Sequence, residues 1–427
     1  MINTIDNQNK EITWDKSHKN IFENFALDLQ SFTNTGKYPD DADQDVKYGL
    51  ELQLKRLKDR NLRIEYEIFP RGQWTDGGNL KRQWSDSKYI SWREFCECGL
   101  YRTIYRSTTK VYHKYQKSTL YQIITNAKDK NTVAEELYSC PNCGAVSKIK
   151  VLQSGCPYCN TYFDMNDLFP KVTNYFFVKS DYYTEEEYRK SLIKVIVPIV
   201  ALGMIFAIRD IAADEDIAFH IVDIIFGFIG VLFFGSFAGY FLWSMLKMFY
   251  VFWEGGKTIP MLVSSIGSGR RFVSFMSRYS PEFSYEYFSD KVVSLLKILI
   301  YSDHPNDLPY YEGIPIEDRF QNVIESAYSG IVALKRYRVK EDHCYVTVDV
   351  YLENLYDNGQ RIYSKKDKVR VELCRNIHRP IDIHFSIERI QCKSCGASFN
   401  AVRMRNCPHC GTVYEMGDDD WIITKIR

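Results

Sequence analysis

The sequence has almost no surplus of charge of either sign. Its 55 basic and 54 acidic residues leave a net charge of +1, which removes any global electrostatic argument for a nucleic-acid or acidic partner. The opening stretch "MINTIDNQNKEITWDKSHKN" lacks a basic start followed by an apolar run, so no cleavable leader is expected. Catalytic signatures are also missing. "SSIGSGRRF" carries glycines, but no strand and no GK[ST] helix start surrounds them as a phosphate cradle requires. His304, His378 and His384 have no recognisable partner motif. No enzyme is expected and no catalytic residue is assigned. Residues 1–45, polar and acid-rich around "YPDDADQD", are expected to be loosely ordered.

What the chain does have is two long apolar runs. A mean hydropathy of -0.31 hides them. Residues 192–208 read "LIKVIVPIVALGMIFAI" and residues 224–246 read "IIFGFIGVLFFGSFAGYFLWSML". At about 1.5 Å per residue, the second run covers roughly 35 Å, enough for a hydrocarbon core of about 30 Å. The first is shorter, but Lys194 can snorkel and Pro198 is tolerated in a span. A transmembrane hairpin over residues 184–253 is expected, with a pair of buried core helices as the alternative. Arg189, Lys190 and Lys194 precede it, and Lys247, Lys257, Arg270 and Arg271 follow it, while the connecting "RDIAADEDIAFH" is acidic. The positive-inside rule then puts the chain in the cell membrane as a multi-pass protein with both termini cytoplasmic. Tyr240, Trp243, Tyr250 and Trp253 stand where an interfacial aromatic belt belongs.

Eight of the 12 cysteines fall in four knuckles. Cys140 and Cys143 ("CPNCG") are followed by Cys156 and Cys159 ("CPYCN"), and Cys392 and Cys395 ("CKSCG") by Cys407 and Cys410 ("CPHCG"). Two CxxC knuckles at this separation close a tetrahedral four-sulfur site, the zinc-ribbon pattern. Two structural zinc ions are expected, with iron as the second candidate. Disulfides are disfavoured in a reducing cytoplasm. Glycine after the second cysteine allows the positive φ of a knuckle, and Asn160 replaces one of these glycines as the next best residue. His409 reads as a spacer inside the last knuckle, not a ligand. Cys96 and Cys98 are too close for a standard knuckle and read as a core or surface pair, with a contribution to another metal site as the alternative.

After the hairpin, "SPEFSYEYFSDKVVSLLKILIYSD" places Phe288, Val292, Leu295, Leu296 and Leu299 on one helical face, with Ser280 and Pro281 as its expected start. "CYVTVDVYLENLYDNGQRIYSKKDKVRVELC" predicts a hairpin turning at Asn358-Gly359. Pairing Asp357 with Gln360 puts Val346 opposite Val371 and Val348 opposite Val369, with Cys344 and Cys374 on opposite faces. "DIHFSIERI" and the closing "DWIITKI" are further strands. The last of them needs a sheet to join, so the second ribbon is expected to interrupt that sheet before its final strand.

On "YFSDKVVSLLKILIYSD", "YSGIVALKRYRV" and the closing Trp421 strand, residues 281–427 resemble the Tim-forty-four-like domain family. The resemblance implies a cone of helix on curved antiparallel sheet, similar to nuclear transport factor two, with a concave pocket and a role in membrane-proximal binding or tethering. It carries no catalytic residue. The inserted ribbon and the upstream hairpin depart from that family, so no role in protein import follows.

The fold class expected for the whole chain is therefore α+β. Residues 46–180 form a β-rich cytoplasmic domain with a zinc ribbon at 140–159, followed by the transmembrane hairpin. The cone at 281–427 carries its ribbon at 392–410. The contexts of the two ribbons look alike: "CPYCNTYFDMNDLFPKVTNYFFV" and "CPHCGTVYEMGDDDWIITKI" both run from a knuckle through an acidic turn to an apolar strand. In "LYRTIYRSTTKVYHKYQK", read as one strand, Arg102, Arg106, Lys110 and Lys114 share a face. The expected function is a membrane-anchored binding or scaffolding protein with membrane lipid and a protein or peptide as partners. The alternatives are a membrane-tethered nucleic-acid binder using that basic face, and an enzyme using the cone pocket.

Overall fold

The computed structural model describes residues 21–70, 83–129, 134–135, 137–140, 143–162, 170–179, 185–212, 221–316, 318–379, 390–392, 394–399, 403–414 and 420–427. The expected strand "DIHFSIERI" up to residue 389, the loop at 213–220 and the side chains of Tyr250 and Trp253 lie outside the described residues. The chain divides into two compact units, Met1–Ser180 with Ser265–Arg427, and Asp181–Ser264.

The first unit opens with α1 (Ile21–Thr35), which corrects the expectation of a loose N-terminus from residue 21 onward. Its polar composition conceals a helical stripe: Phe22, Phe25, Ala26, Leu29 and Phe32 recur at helical spacing and are buried together. α2 (Gln44–Asp59) follows, its first turn capped by the Asp43 carboxylate, which accepts from the Val46 N–H at 2.8 Å. Strands β1 (Leu62–Pro70), β3 (Tyr89–Arg106), β4 (Thr109–Ala127) and β7 (Lys171–Lys179) form an antiparallel sheet in the order β1-β3-β4-β7, with the short β2 (Gln83–Ser85) paired to β3. Between β4 and β7 lie the strands β5 (Leu137–Ser139) and β6 (Val146–Lys148), the short helix α3 (Ile149–Leu152) and the first cysteine group.

The second sheet of this unit repeats the plan. α6 (Tyr285–Tyr301) precedes β8 (Val323–Lys340), β9 (His343–Asp357) and β10 (Ile362–Asn376). After β11 (Ile390–Gln391), β12 (Ser398–Phe399) and the second cysteine group, β13 (Ile422–Ile426) returns to pair with β10, giving the order β13-β10-β9-β8. The closing strand therefore does join the sheet that precedes the ribbon. α6 starts later than the sequence suggests, because the Ser284 hydroxyl accepts from the Tyr287 N–H at 3.0 Å and caps it there. The β9–β10 register also differs by two residues, pairing Val348 with Val371 and Val350 with Val369. The Asn358 carboxamide accepts from the N–H groups of Gln360 and Arg361 and stabilises a longer loop than the two-residue turn expected. A shift of two leaves every face unchanged, so Cys344 and Cys374 remain on opposite faces, both buried and free.

The likeness of the two halves extends to single hydrogen bonds. One numerical offset carries Cys156, Cys159, Thr161, Val172 and Thr173 onto Cys407, Cys410, Thr412, Ile423 and Thr424. Each closing strand has a bulge at the threonine, where the register slips. The Thr173 hydroxyl donates to the Ile123 carbonyl at 3.3 Å, and the Thr424 hydroxyl to the Glu372 carbonyl at 3.2 Å. Each closing strand also makes a parallel bridge to the segment after its lobe's first helix, Val172 with Ala42 and Ile423 with Tyr311. Trp421, immediately before β13, is buried with its ring 5.0 Å from that of Phe288 on α6.

Where the sequence suggests separate domains on either side of the hairpin, the two halves share one unit. The Arg56 guanidinium on α2 donates to the carbonyls of Ile300, Ser302, Phe320 and Val323 at 2.7–3.1 Å, satisfying the end of α6 from the other lobe. Arg102 on β3 and Glu325 on β8 form a buried ion pair at 2.8 Å. The Phe176 and Tyr328 rings meet edge to face at 4.9 Å.

The second unit is a helix pair. α4 (Glu185–Ala212) and α5 (Ile221–Met276, whose end from Ser265 belongs to the first unit) contain two stretches long and apolar enough to cross a membrane, Tyr188–Arg209 and Ile225–Phe249. They approach closely through glycine. A Cβ on Gly239 would lie 2.9 Å from the Ile196 Cα, one on Gly235 3.4 Å from the Val200 Cα, and one on Gly203 2.8 Å from a Val231 methyl. At one end the Trp243 indole N–H donates to the Ser191 hydroxyl at 3.1 Å, and the Lys247 ammonium sits 4.9 Å above the Trp243 ring. "SSIGSGRRF" lies inside α5, so it is not a glycine loop.

Candidate metal centres

Each knuckle is built by the backbone before any metal is considered. The Cys140 N–H donates to the Ala145 carbonyl and the Gly144 N–H to the Cys140 carbonyl, at 2.9 and 2.8 Å. The same two bonds recur from Cys156 to Thr161 and Asn160, from Cys392 to Ala397 and Gly396, and from Cys407 to Thr412 and Gly411. The turn requires positive φ, which Gly144, Gly396 and Gly411 supply at +73 to +75° and Asn160 supplies at +57°.

These turns bring the sulfurs together in two groups, Cys140, Cys143, Cys156 and Cys159, and Cys392, Cys395, Cys407 and Cys410, each with all four Sγ atoms within 4.8 Å of one another. The Cys140–Cys159, Cys143–Cys156, Cys392–Cys410 and Cys395–Cys407 pairs stand at 3.6 Å. That is far beyond a disulfide bond of about 2.05 Å. It is close to the edge, about 3.8 Å, of a tetrahedron with metal–sulfur bonds of about 2.3 Å. Both groups therefore fit one four-coordinate metal ion each. Four thiolates fill such an ion's positions, so the arrangement suits structure and offers no open site for catalysis. His409 is exposed and outside the group.

The electrostatics favour thiolate at matching places. The Thr161 hydroxyl lies 3.2 Å from the Cys159 sulfur and the Thr412 hydroxyl 3.1 Å from that of Cys410. Hydrogen bonds from these hydroxyls and the same residues' N–H groups lower both thiols to about 6. Neither threonine carries a signal in a cysteine-spacing search, but the shared "C-x-T" after each last cysteine is visible once the two segments are aligned.

The remaining cysteines are core residues. Cys96 and Cys98 are buried on β3, and burial pushes the Cys98 thiol up to about 12. The basic face expected at Arg102, Arg106, Lys110 and Lys114 does not form. Ser107, with φ of +53°, turns the chain between β3 and β4, so the segment is a hairpin. Arg102 is spent on Glu325 and Gln116, and Arg106 on the Asp357 carboxylate at 2.6 Å and the Gly359 carbonyl at 2.7 Å. Lys110 and Lys114 alone stay exposed. His378 is exposed beside Asp342 at 3.3 Å, and no cluster of catalytic groups gathers around it or His304 among the described residues; His384 lies outside them.

The second ribbon is tied to the opposite lobe. Arg403 makes a two-point ion pair with Glu51 on α2, at 3.2 and 2.6 Å, and lies 4.7 Å over the Tyr48 ring. The sequence gives no hint of this tie. No protein-family model matches the chain, and no curated protein and no solved structure matches it either.

Proposed function

We propose that this chain is a membrane-anchored binding and scaffolding protein, its helix pair crossing the lipid bilayer and its duplicated lobes, each closed by a structural zinc ion, engaging a protein, peptide or lipid at the cytoplasmic face. The observation that carries this reading is the contrast in chemistry between the two units. One is a helix pair with large apolar side chains such as Phe233, Phe234, Phe237 and Phe241 exposed along its length. The other buries its apolar side chains in shared cores and presents no catalytic constellation among the described residues. Flanking cations and the acidic connecting loop support cytoplasmic termini. Four thiolates with no oxygen or nitrogen donor support zinc. A helix over an antiparallel sheet closed by the Trp421 strand supports the likeness of the C-terminal lobe to the Tim-forty-four-like cone.

The nucleic-acid alternative loses its support with Arg102 and Arg106 buried or paired in the lobe interface. The test is crosslinking in native membranes followed by extraction. The full chain should resist carbonate and high-salt washes and yield a discrete crosslinked partner. Release from the membrane by either wash, or no crosslink from the first unit to any discrete protein, peptide or lipid species, would contradict the proposal.

A further inference from the structure

The sheet β13-β10-β9-β8 sends Val346, Val348 and Val350 of β9 into the core with α6. The alternate residues Tyr345, Thr347, Asp349 and Tyr351 therefore lie on its outer face. Register then surrounds them with cations. Arg336 and Arg338 on β8 stand opposite Thr347 and Tyr345, and Lys368 and Arg370 on β10 opposite Tyr351 and Asp349. Lys425 on β13 stands opposite Glu372 of β10, which shares this face. A bulge between Leu334 and Arg336 turns Lys335 outward as well, its ammonium 3.6 Å from Asp349.

The charge on this face is one-sided. Asp349 is fully buried at the floor and is met three times over, by Lys335, by Lys368 at 3.0 Å and by Arg370 at 2.7 Å. Glu372, also largely buried, is met by Arg336 and Arg338 at 3.7 and 3.8 Å. One carboxylate neutralises one cation, so the surplus is carried by the side chains above. Those are the exposed ones, Arg336 at 69% and Arg338 at 61%. The duplicated plan supplies a control. The corresponding face of the N-terminal sheet carries Glu65, Glu67 and Glu97 with Arg63 and Lys117, close to balance. The surplus belongs to this lobe and not to the shared fold.

The chain also brings this face its partner. Helix α5, which contains the apolar stretch Ile225–Phe249, ends with the Phe272 and Phe275 rings against that of Tyr337, the residue between Arg336 and Arg338. Arg270 and Arg271, just before that contact, are exposed.

We propose that this outer face docks on the anionic phospholipid headgroups of the membrane that holds the helix pair, lipid phosphates taking the cations that Asp349 and Glu372 leave over. Guanidinium and ammonium groups both suit phosphate oxygens, and long stems let a flat sheet meet a layer of headgroups. Each such cation strengthens association with an anionic surface about fivefold. The assignment rests on the anchoring reading for its access to lipid, and adds which surface and which lipid class.

The full chain in micelles of a neutral detergent, doped with either phosphatidylglycerol or phosphatidylcholine, should be acetylated at lysine and read by mass spectrometry. Lys335, Lys368 and Lys425 should label at least fivefold more slowly with phosphatidylglycerol, relative to Lys37 and Lys55 in the same sample. Salt at about 0.5 M should restore their rates. Arg336→Ser combined with Arg338→Ser should leave melting unchanged and raise the phosphatidylglycerol fraction needed for half-protection at least fivefold. Equal labelling in the two kinds of micelle overturns the assignment. So does equal protection by a soluble RNA oligomer or by polyglutamate in phosphatidylcholine micelles, which would make this a face for dissolved polyanions. Carbonate extraction reads anchoring separately: release with protected lysines would overturn anchoring alone, and retention with unprotected lysines this proposal alone.

Discussion

The two lobes share a plan and differ in what is inserted into it, β2 being one addition of the N-terminal lobe and α2 another. In the C-terminal lobe the described residues between the bridging segment at Tyr311 and strand β8 hold a single 3-10 turn at Asp318–Phe320. In the N-terminal lobe the matching stretch, from Ala42 to β1, contains the whole of α2. That one helix supplies Arg56 to the end of α6, Gln53 to the Ile324 carbonyl and Glu51 to the second ribbon. Each lobe is closed by what both have, whereas their joining combines shared strands, as in the Arg102–Glu325 pair, with α2, which only one lobe has. Closure is local and repeated, and joining is long-range.

Loss of either metal should have the largest effect. A structural four-cysteine site contributes apparent binding energy on the order of 10 kcal/mol to folding. Cys156→Ser and Cys407→Ser should therefore each lower the melting temperature sharply, because both buried sulfurs close a lobe of one unit. Native mass spectrometry should find two zinc ions in the parent chain and one in each variant. A variant whose melting is unchanged would remove the staple role.

Next comes the joining helix. Arg56→Met strips four carbonyls of their donor and should cost about 3–5 kcal/mol. Arg403→Ala, removing a half-exposed ion pair from the same interface, should cost under about 1 kcal/mol. Denaturant unfolding distinguishes them, and equal costs would mean that the joining is diffuse and does not run through α2.

The buried Lys297 on α6 gives a pH signature. Lys297 falls from its ordinary 10.5 to about 7 because of burial. Between those values the unfolded chain holds a proton that the folded chain has released, so stability should rise with pH across about 7 to 10.5. Asp290 on the same helix opposes the shift, and Asp45 from α2, Glu325 from β8, Tyr66 from β1, and Tyr175 from β7 with Tyr301 line, with Lys297, a cavity of about 50 Å³ between the lobes. Lys297→Met should abolish a rise on the order of 5 kcal/mol, measured as the difference between the two pH profiles.

The smallest effect tests the repeat itself. Thr173→Val and Thr424→Val each delete one hydroxyl bond across the bulge of a closing strand, and each should cost about 1 kcal/mol. Urea midpoints that agree within about half a kcal/mol would support equivalence; a large cost in one lobe alone would break it.

Much of the local closure was legible in the sequence. The cysteine spacing, the positive-φ residue after each knuckle and the need of "DWIITKI" for a sheet all follow from neighbouring residues. The joining was not. Arg56, Arg102 and Glu325 look like ordinary surface charges, because nothing local marks a charge whose partner lies more than two hundred positions away. α1 was hidden by averaging, since a polar mean says nothing about a stripe of Phe22, Phe25, Leu29 and Phe32. The β9–β10 register slipped by two because the Asn358 side chain builds a wider loop than the Asn-Gly pair alone suggests. Lys297, one cation amid "SLLKILIY", is the visible trace of a charge buried on this helix.

Hydrogen exchange on the Cys407→Ser variant tests the central account most directly. If the ribbon is a staple inside one duplicated unit, protection should fall along β13 and β10 and also at Ile300, Val323 and Ser326, where the lobes meet. Changes confined to residues 392–410, with β13 as protected as in the parent, would contradict it.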